Sequence, residues 1–132
     1  MKEFKIGEKG EFSKTITETD VYLFAGICGD FNPVHVNKVE AEQSIFGKTI
    51  VHGALVTSFI STVLGMYMPG PGSIYMEQKS SFLKPVFIGD TVTAKVEITD
   101  ISAKNVAYLS TQVYNQKNEI VVDGYAKIKL PK

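Results

Sequence analysis

The feature that most constrains this chain is a stretch without a single charged side chain, from Ile50 to Met76. A helix that spans a membrane needs about 20 predominantly apolar residues. Here polar side chains such as Ser58 and Ser61 interrupt the stretch, and glycines and prolines at residues 69–72 end it. The stretch therefore predicts a helix buried inside a protein rather than one that crosses a membrane.

This helix would begin near Gly53 and would be apolar around most of its circumference. Its apolar positions are Ala54, Leu55, Val56, Phe59, Ile60, Val63 and Leu64. A helix that is apolar nearly all round must be enclosed by other elements. In a chain of 132 residues, only a sheet that curls around the helix could enclose it.

The C-terminal half supplies strands for such a sheet. Residues 91–101 alternate apolar and polar side chains, which is the period-2 pattern of a half-buried strand. Further strands are predicted at residues 74–83, 106–114 and 120–129, and short connections imply antiparallel pairing. The predicted fold class is therefore α+β, with an antiparallel β-sheet wrapped around a long central α-helix in one domain that spans residues 1–132.

The N-terminal half predicts two shorter helices. Thr17 is followed three residues later by Asp20, as in a capping box, and Gly29 supplies a C-terminal stop. The apolar spacing between them indicates one buried face, and Cys28 at the end of this helix is expected to be a buried small apolar residue. A second helix is expected at about residues 38–44.

Composition limits the partners and the compartment. Fourteen basic residues balance fourteen acidic ones, so the formal net charge is zero. Nucleic acids and anionic membranes attract proteins with a cationic excess, so neither is an expected partner. The single cysteine, Cys28, cannot close an intramolecular disulfide, and the charged first twenty residues do not resemble a secretory signal. We therefore expect the protein in the cytoplasm.

The segment most informative about chemistry is residues 29–35, where Pro33 predicts a loop or turn. Such a loop can bring Asp30 and His35 close enough to share one water or substrate atom. An acid beside an imidazole can then serve as a general acid/base pair. Alternatively, Asp30 and Asn32 only hold a turn through side-chain to backbone hydrogen bonds. Spacing alone favours the turn.

Other candidate residues belong to the predicted central helix. Gly53 lies where backbone N–H groups are unpaired and where a ligand can approach the backbone, as in an oxyanion site; a plain helix start is the alternative. His52 is expected to be a structural histidine whose ring has hydrogen-bond partners. Ser58 and Ser61 are expected to be buried and to bond back to the carbonyl four residues earlier, and no G-x-S-x-G motif marks either as a nucleophile.

The sequence does not predict a metal or phosphate site. Two histidines and one cysteine occur without an H-E-x-x-H or a paired C-x-x-C motif. No glycine-rich phosphate loop is present, and residues 70–72 read as a turn.

The segment Asp30–His35, which reads D-F-N-P-V-H, resembles the (R)-specific enoyl-CoA hydratases, which are MaoC-like hydratases with the hot dog fold. His52-Gly53 at the start of a long helix that carries Ser61 adds to this resemblance, which runs from about residue 12 to residue 130. The resemblance implies a hydro-lyase that reversibly adds water, in syn geometry, to trans-2-enoyl-CoA and gives (3R)-3-hydroxyacyl-CoA. It implies no cofactor, because coenzyme A is part of the substrate.

The resemblance also implies a role for each matching residue. Asp30 and His35 would hold and deprotonate a water, and the Gly53 N–H would donate to the thioester oxygen. Asn32 and Ser61 would orient the catalytic loop. The family further implies a homodimer joined edge to edge, with the acyl chain in an apolar tunnel beside the central helix. The expected tunnel walls come from residues such as Leu64, Met66, Tyr67, Met68 or Tyr75.

Two other functions stay open at this point. An acyl-CoA thioesterase of the same fold would carry a carboxylate on the central helix, whereas residues 54–68 contain no Asp or Glu. A non-catalytic acyl-thioester binding module would bind the thioester without turning it over.

Overall fold

A computed structural model describes residues 2–132. The strands are β1 (Lys9–Thr15), β2 (Ile74–Phe82), β3 (Thr91–Ile101), β4 (Val106–Tyr114) and β5 (Ile120–Lys129). They form one five-stranded sheet in the order β1-β3-β4-β5-β2, and every pairing is antiparallel. The α+β class, the antiparallel sheet and all four predicted strands are confirmed.

The helices are α1 (Glu18–Cys28), α2 (Pro33–Val36), α3 (Lys38–Glu42) and α4 (Gly53–Thr62), and a π-helical turn, Val63–Tyr67, continues α4. The hydrophobic core lies between α4 and the inward side chains of the sheet, such as Val96 of β3 and Leu109 of β4. None of the helices in residues 2–132 is long and apolar enough to cross a membrane.

The sheet encloses α4 on only part of its circumference. Val56 and Ile60 are buried, whereas Ala54 and Ser61 are exposed. The sheet ends at β2, and the side chains of β2 are largely exposed on both faces. The prediction that the sheet would enclose the helix nearly all round was therefore wrong for a single chain, because five strands do not reach the open side of α4.

The strand β1 was not predicted. Its only apolar residue is Phe12, so it lacks the period-2 apolar pattern of a half-buried strand. It occupies the other edge of the sheet, beside β3, where Ser13 pairs with Thr93 and their hydroxyls are 2.7 Å apart. Polar side chains are common on edge strands, and they hide such strands from sequence analysis.

The ends of α1 follow local chemistry. The Asp20 N–H donates to Thr17 Oγ1 at 3.1 Å, and the Thr17 N–H donates to Asp20 Oδ2 at 2.9 Å, which completes the predicted capping box. Gly29 adopts a left-handed conformation, with φ of 84°, and ends the helix. Cys28 is exposed, so its predicted burial was wrong. The helix buries only Val21 and Ala25 against the core.

Candidate active site

The sequence predicted a loop or turn at residues 29–35, but Pro33 begins a one-turn helix, α2, so the prediction was wrong for residues 33–35. Pro33 occupies the first helical position, where its missing N–H removes no helical hydrogen bond. Asn32 before it has φ of −53° and ψ of 127°, the extended conformation that a following proline favours. Its side-chain oxygen accepts a hydrogen bond from the Val34 N–H at 3.3 Å. This cap fixes the start of α2 and therefore the direction in which the His35 side chain points.

Asp30 is exposed and lies just before α2. Its Oδ1 accepts a hydrogen bond from the Asn32 N–H at 3.1 Å, so the turn-holding hydrogen bonds are present. The same turn also brings the carboxylate to the imidazoles, because the donor atoms of Asp30, His35 and His52 all lie within 4.8 Å of one another. The turn and the acid/base pair are therefore compatible, and the structure brings Asp30 and His35 together.

The ring of His35 is nearly buried and is oriented by a backbone carbonyl. Its Nδ1 lies 2.8 Å from the Ile50 oxygen. A carbonyl oxygen can only accept, so Nδ1 carries the proton. In the neutral ring, Nε2 then keeps a free lone pair, and Nε2 is the atom that can accept a proton from a water molecule.

His52 is a site residue that sequence analysis missed. Its ring stacks on His35 with centroids 3.8 Å apart and an interplanar angle of 26°. Its Nε2–H donates to the backbone oxygen of Asp30 at 2.9 Å, whereas Nδ1 is buried and has no partner among residues 2–132. Only one of the two ring nitrogens of His52 therefore has a hydrogen-bond partner, although the ring was expected to be fully hydrogen-bonded. The available signal was that His52 is one of two histidines and directly precedes Gly53.

Gly53 is the first residue of α4, and its N–H has no hydrogen-bond acceptor within residues 2–132. A Cβ at this position would lie 2.6 Å from Cε1 of Phe82. Packing against Phe82 therefore requires a glycine here, in addition to any need for ligand access. The N–H is available as a donor, as an oxyanion site requires.

A cavity of about 450 Å³ borders Gly53. Ile50 also lines the cavity, whereas Asp30 and His35, the acid/base dyad, do not. Ile50 connects the cavity to this dyad, because the Ile50 carbonyl oxygen accepts the hydrogen bond from His35 Nδ1. The other lining residues are Phe46, Val51, Val56, Phe82, Leu83, Lys84, Pro85, Val86 and Val122. One chain thus builds the cavity and the dyad side by side.

The residues expected to form the acyl tunnel do not line this cavity. Leu64 and Met68 are buried in the core, whereas Met66, Tyr67 and Tyr75 are exposed. The expected walls do not border the cavity at Gly53, and their place in an acyl tunnel stays a prediction. Apolarity alone did not separate core positions from positions on the open side of the molecule.

The two serines of α4 differ in their surroundings. Ser58 Oγ donates to the Leu55 oxygen at 2.5 Å, so it bonds back within the helix, but to the carbonyl three residues earlier and not four as predicted. Ser61 lies on the exposed side of α4, and its hydroxyl makes no hydrogen bond in the part of the chain that the structure describes, so its predicted burial and back-bonding were wrong. A role for Ser61 in orienting the loop stays a prediction.

The cluster of Asp30, His35 and His52 could in principle hold a metal ion, because each side chain offers one donor atom. However, the two rings are stacked, so their nitrogen lone pairs run along nearly parallel planes and do not converge on one centre. One nitrogen of each ring donates to a carbonyl oxygen, so the other nitrogen of each ring remains as an acceptor. A tetrahedral site needs convergent donors, so the stacked geometry favours acid/base chemistry.

Comparison with known proteins identifies the family. Residues 3–121 match the family model described as "MaoC like domain". The chain belongs to the MaoC-like domain family. It is 42% identical over 128 residues to an (R)-specific enoyl-CoA hydratase of Aeromonas caviae, with 96% of each chain covered. It is 41% identical over 129 residues to an (R)-specific enoyl-CoA hydratase of Rhodospirillum rubrum, which covers 98% of this chain and 90% of that relative.

Solved structures agree with this assignment. A structure described as the (R)-hydratase from A. caviae involved in PHA biosynthesis superimposes with a TM-score of 0.96 and 41% identity. The match covers 99% of this chain and 100% of that structure. The hot dog fold and the family resemblance are therefore confirmed for this MaoC-like chain.

The caps of α2 and α3 provide a matched test of how the loop is held. Asn32 caps α2, and Asn37 caps α3 by accepting from the Glu40 N–H at 3.1 Å. We expect Asn32→Ala and Asn37→Ala each to lower the free energy of unfolding by about 1 kcal/mol in urea titrations. Only Asn32→Ala should also shift the ring resonances of His35 in NMR spectra. Equal ring shifts in both variants would show that Asn32 has no special part in orienting His35.

Proposed function

We propose that this chain is an (R)-specific enoyl-CoA hydratase that reversibly converts trans-2-enoyl-CoA and water into (3R)-3-hydroxyacyl-CoA. One observation carries the proposal: the carboxylate of Asp30 and the ring of His35 come within 4.8 Å of each other beside the start of α4. The high identity to two hydratases over nearly the whole chain supports the same activity. The (3R) outcome rests on that family relationship.

The nucleophile in this reaction is a water held between Asp30 and His35. The pKa of bulk water is about 15.7, so water attacks poorly without a positioned base. His35 Nε2 keeps its lone pair because Nδ1 donates to Ile50, and Asp30 adds an exposed acceptor beside it. Acid/base assistance of this kind accelerates reactions by roughly 10²–10⁴-fold.

The electrophile is C3 of the enoyl thioester, from which the carbonyl withdraws electron density. As water adds, negative charge develops on the thioester oxygen. The free Gly53 N–H at the start of α4 can donate to that oxygen, and the positive end of the helix dipole adds to the stabilisation. Loss of one such donor typically costs about 3–4 kcal/mol of barrier.

The proton taken from water returns to C2 from the same acid/base pair, which gives syn addition on one face of the double bond. The step is reversible, so the same site also dehydrates the hydroxyacyl thioester. We propose that the reaction uses no metal and no separate cofactor, because proton transfer and one backbone donor account for each change of bonding. Coenzyme A enters as part of the substrate.

We further propose a homodimer that is joined through β2. This edge strand has unpaired backbone groups and exposes Ile74, Met76 and, just beyond it, Leu83. Apolar edge strands promote association unless they are covered. A second copy placed against β2 would extend the sheet and cover the open side of α4, where Ser61 lies. A partner would then close the substrate site, which one chain leaves open around Asp30.

We keep the cytoplasm as the proposed location. Support comes from Cys28, the only cysteine of the chain, which is a free thiol on the surface. Free surface thiols are typical of reducing compartments.

The activity is tested with crotonyl-CoA, whose enoyl absorbance falls on hydration. We expect Asp30→Asn and His35→Ala each to lower kcat at least about 100-fold, because each removes one member of the acid/base pair. Asp123→Asn, which changes an exposed carboxylate on β5, should leave kcat unchanged. Unaltered rates in both site variants, or no turnover by the wild type at any chain length, would refute the proposal.

The same samples separate the alternative functions. Release of free thiol from an acyl-CoA, followed with a thiol reagent, would indicate a thioesterase. Binding of acyl-CoA in calorimetry without turnover would indicate a binding module.

The role of Gly53 is tested by adding a methyl group. Gly53→Ala places a Cβ where Phe82 now packs and where the thioester is proposed to approach. We expect kcat/KM for crotonyl-CoA to fall at least about tenfold, with one oxyanion donor partly blocked. Phe82→Ala removes the clash, so the double variant should regain stability but not activity. Recovery of both would show that the clash with Phe82, and not substrate access, explains the glycine.

The dimer is tested at the edge strand. We expect Met76→Lys to shift the protein from dimer to monomer in light scattering after size exclusion, because a charge on an apolar edge opposes pairing. Val39→Lys on α3 is the matched control, since Val39 is also an exposed apolar residue but lies away from the sheet. A monomeric wild type, or equal effects of both variants, would contradict the proposed interface.

A further inference from the structure

We propose that His52 is a positioning residue that holds the backbone of Asp30 and the ring of His35 in place and exchanges no proton with the substrate. This inference rests on the hydratase function proposed above, because it assigns His52 a part in that reaction. It does not follow from the D-x-N-P-x-H segment, to which His52 does not belong. The argument comes from three contacts of the ring and from the backbone on either side of it.

The first contact fixes the acid. His52 Nε2 lies 2.9 Å from the backbone oxygen of Asp30, 22 positions earlier in the chain. Because a carbonyl oxygen only accepts, Nε2 carries the proton. The bond holds the backbone of Asp30, while the turn to the Asn32 N–H holds its carboxylate. Asp30 is exposed, so little else restrains it.

The second contact fixes the base. The His35 ring lies against the His52 ring at 3.8 Å, nearly parallel to it. The stack sets the plane of the His35 ring, and the bond from Nδ1 to the Ile50 oxygen sets its rotation within that plane. The direction of the Nε2 lone pair of His35 therefore depends on Ile50 and His52 together.

The third feature keeps the His52 ring out of proton transfer. The ring is 2% exposed, Phe24 packs on it at 5.0 Å, and Nδ1 has no hydrogen-bond partner among residues 2–132. A proton on Nδ1 would place an N–H without an acceptor, and a charge, in this buried site beside a second imidazole. His52 therefore orients the dyad without serving as its acid or base.

The backbone explains why one segment can do all of this. The Ile50 oxygen holds His35, His52 holds Asp30, and the next residue, Gly53, supplies the free N–H. The segment is itself anchored, because the Ile50 N–H donates to the Val34 oxygen at 3.0 Å and the Val51 N–H donates to the Val86 oxygen at 2.7 Å. Four consecutive residues thus align the base, the acid and the oxyanion donor.

The kinetic test separates the hydrogen bond from the stack. His52→Phe keeps an aromatic ring against His35 but loses the donor to Asp30, whereas His52→Gln keeps an N–H at the position of Nε2. We expect kcat for crotonyl-CoA to fall roughly 10–100-fold in His52→Phe with KM changed less than about twofold, and His52→Gln to retain clearly more activity. Phe12→Leu on β1 is the packing control, because Phe12 packs against the core beside Phe59 and not on either histidine, and it should lower the melting temperature without lowering kcat.

Two kinetic results would overturn the proposal. One is a kcat for His52→Phe equal to that of the wild type. The other is an equal loss in His52→Phe, His52→Gln and Phe12→Leu, which would show a merely structural role for the ring.

A spectroscopic test does not depend on activity, so it remains decisive if the wild type shows no hydration or if a variant does not fold. The chain has only two histidines, so two-bond proton–nitrogen correlation spectra contain two ring systems. We expect opposite neutral tautomers at pH 7: the proton on Nδ1 of His35 and on Nε2 of His52. A charged His52 ring, or a proton on its Nδ1, would refute the proposal even in an active hydratase.

Discussion

The burial of α4 is the constraint on which the rest of the structure depends. Each large apolar side chain that α4 removes from water contributes about 1.5–3 kcal/mol, and Ile60 is completely buried against the sheet. Because the helix is held along its length, its first residue cannot shift independently of the core. The segment before Gly53 therefore ends at a position that the core holds in place, and the functional groups of the site lie around that position.

Much of the fold could be predicted because the residue pattern within each element indicates which of its faces is buried and where it ends. The alternation in β3, the cap at Thr17 and the stop at Gly29 are local signals, and the structure contains all three. The strand β1 could not be found in this way, since it is held by pairing with β3 about 80 positions away. The open side of α4 was missed for a related reason: an apolar surface does not reveal which element covers it.

The site was predictable to the extent that its chemistry sits in side chains close together in sequence. The proximity of Asp30 and His35 follows from a short turn, and the free N–H of Gly53 follows from its place at a helix start. The part of His52 did not follow, because its partner is a backbone oxygen, and a sequence does not display backbone acceptors. Ser61 shows the opposite case, in which a residue matches the family but its hydroxyl makes no hydrogen bond among residues 2–132.

Backbone atoms therefore decide whether the D-x-N-P-x-H segment becomes a working pair. The carbonyl groups of Ile50 and Asp30 remain whatever side chains occupy those positions, so the geometry tolerates changes of side chain at Ile50 but not a displacement of the start of α4. The same six residues placed in an unrelated fold would keep the turn and lose the tautomer of His35 that leaves Nε2 free. In this protein, the packing of the apolar helix also places the base. Gly53 begins the buried helix, and it directly follows the segment in which Ile50 holds the imidazole and His52 holds the acid.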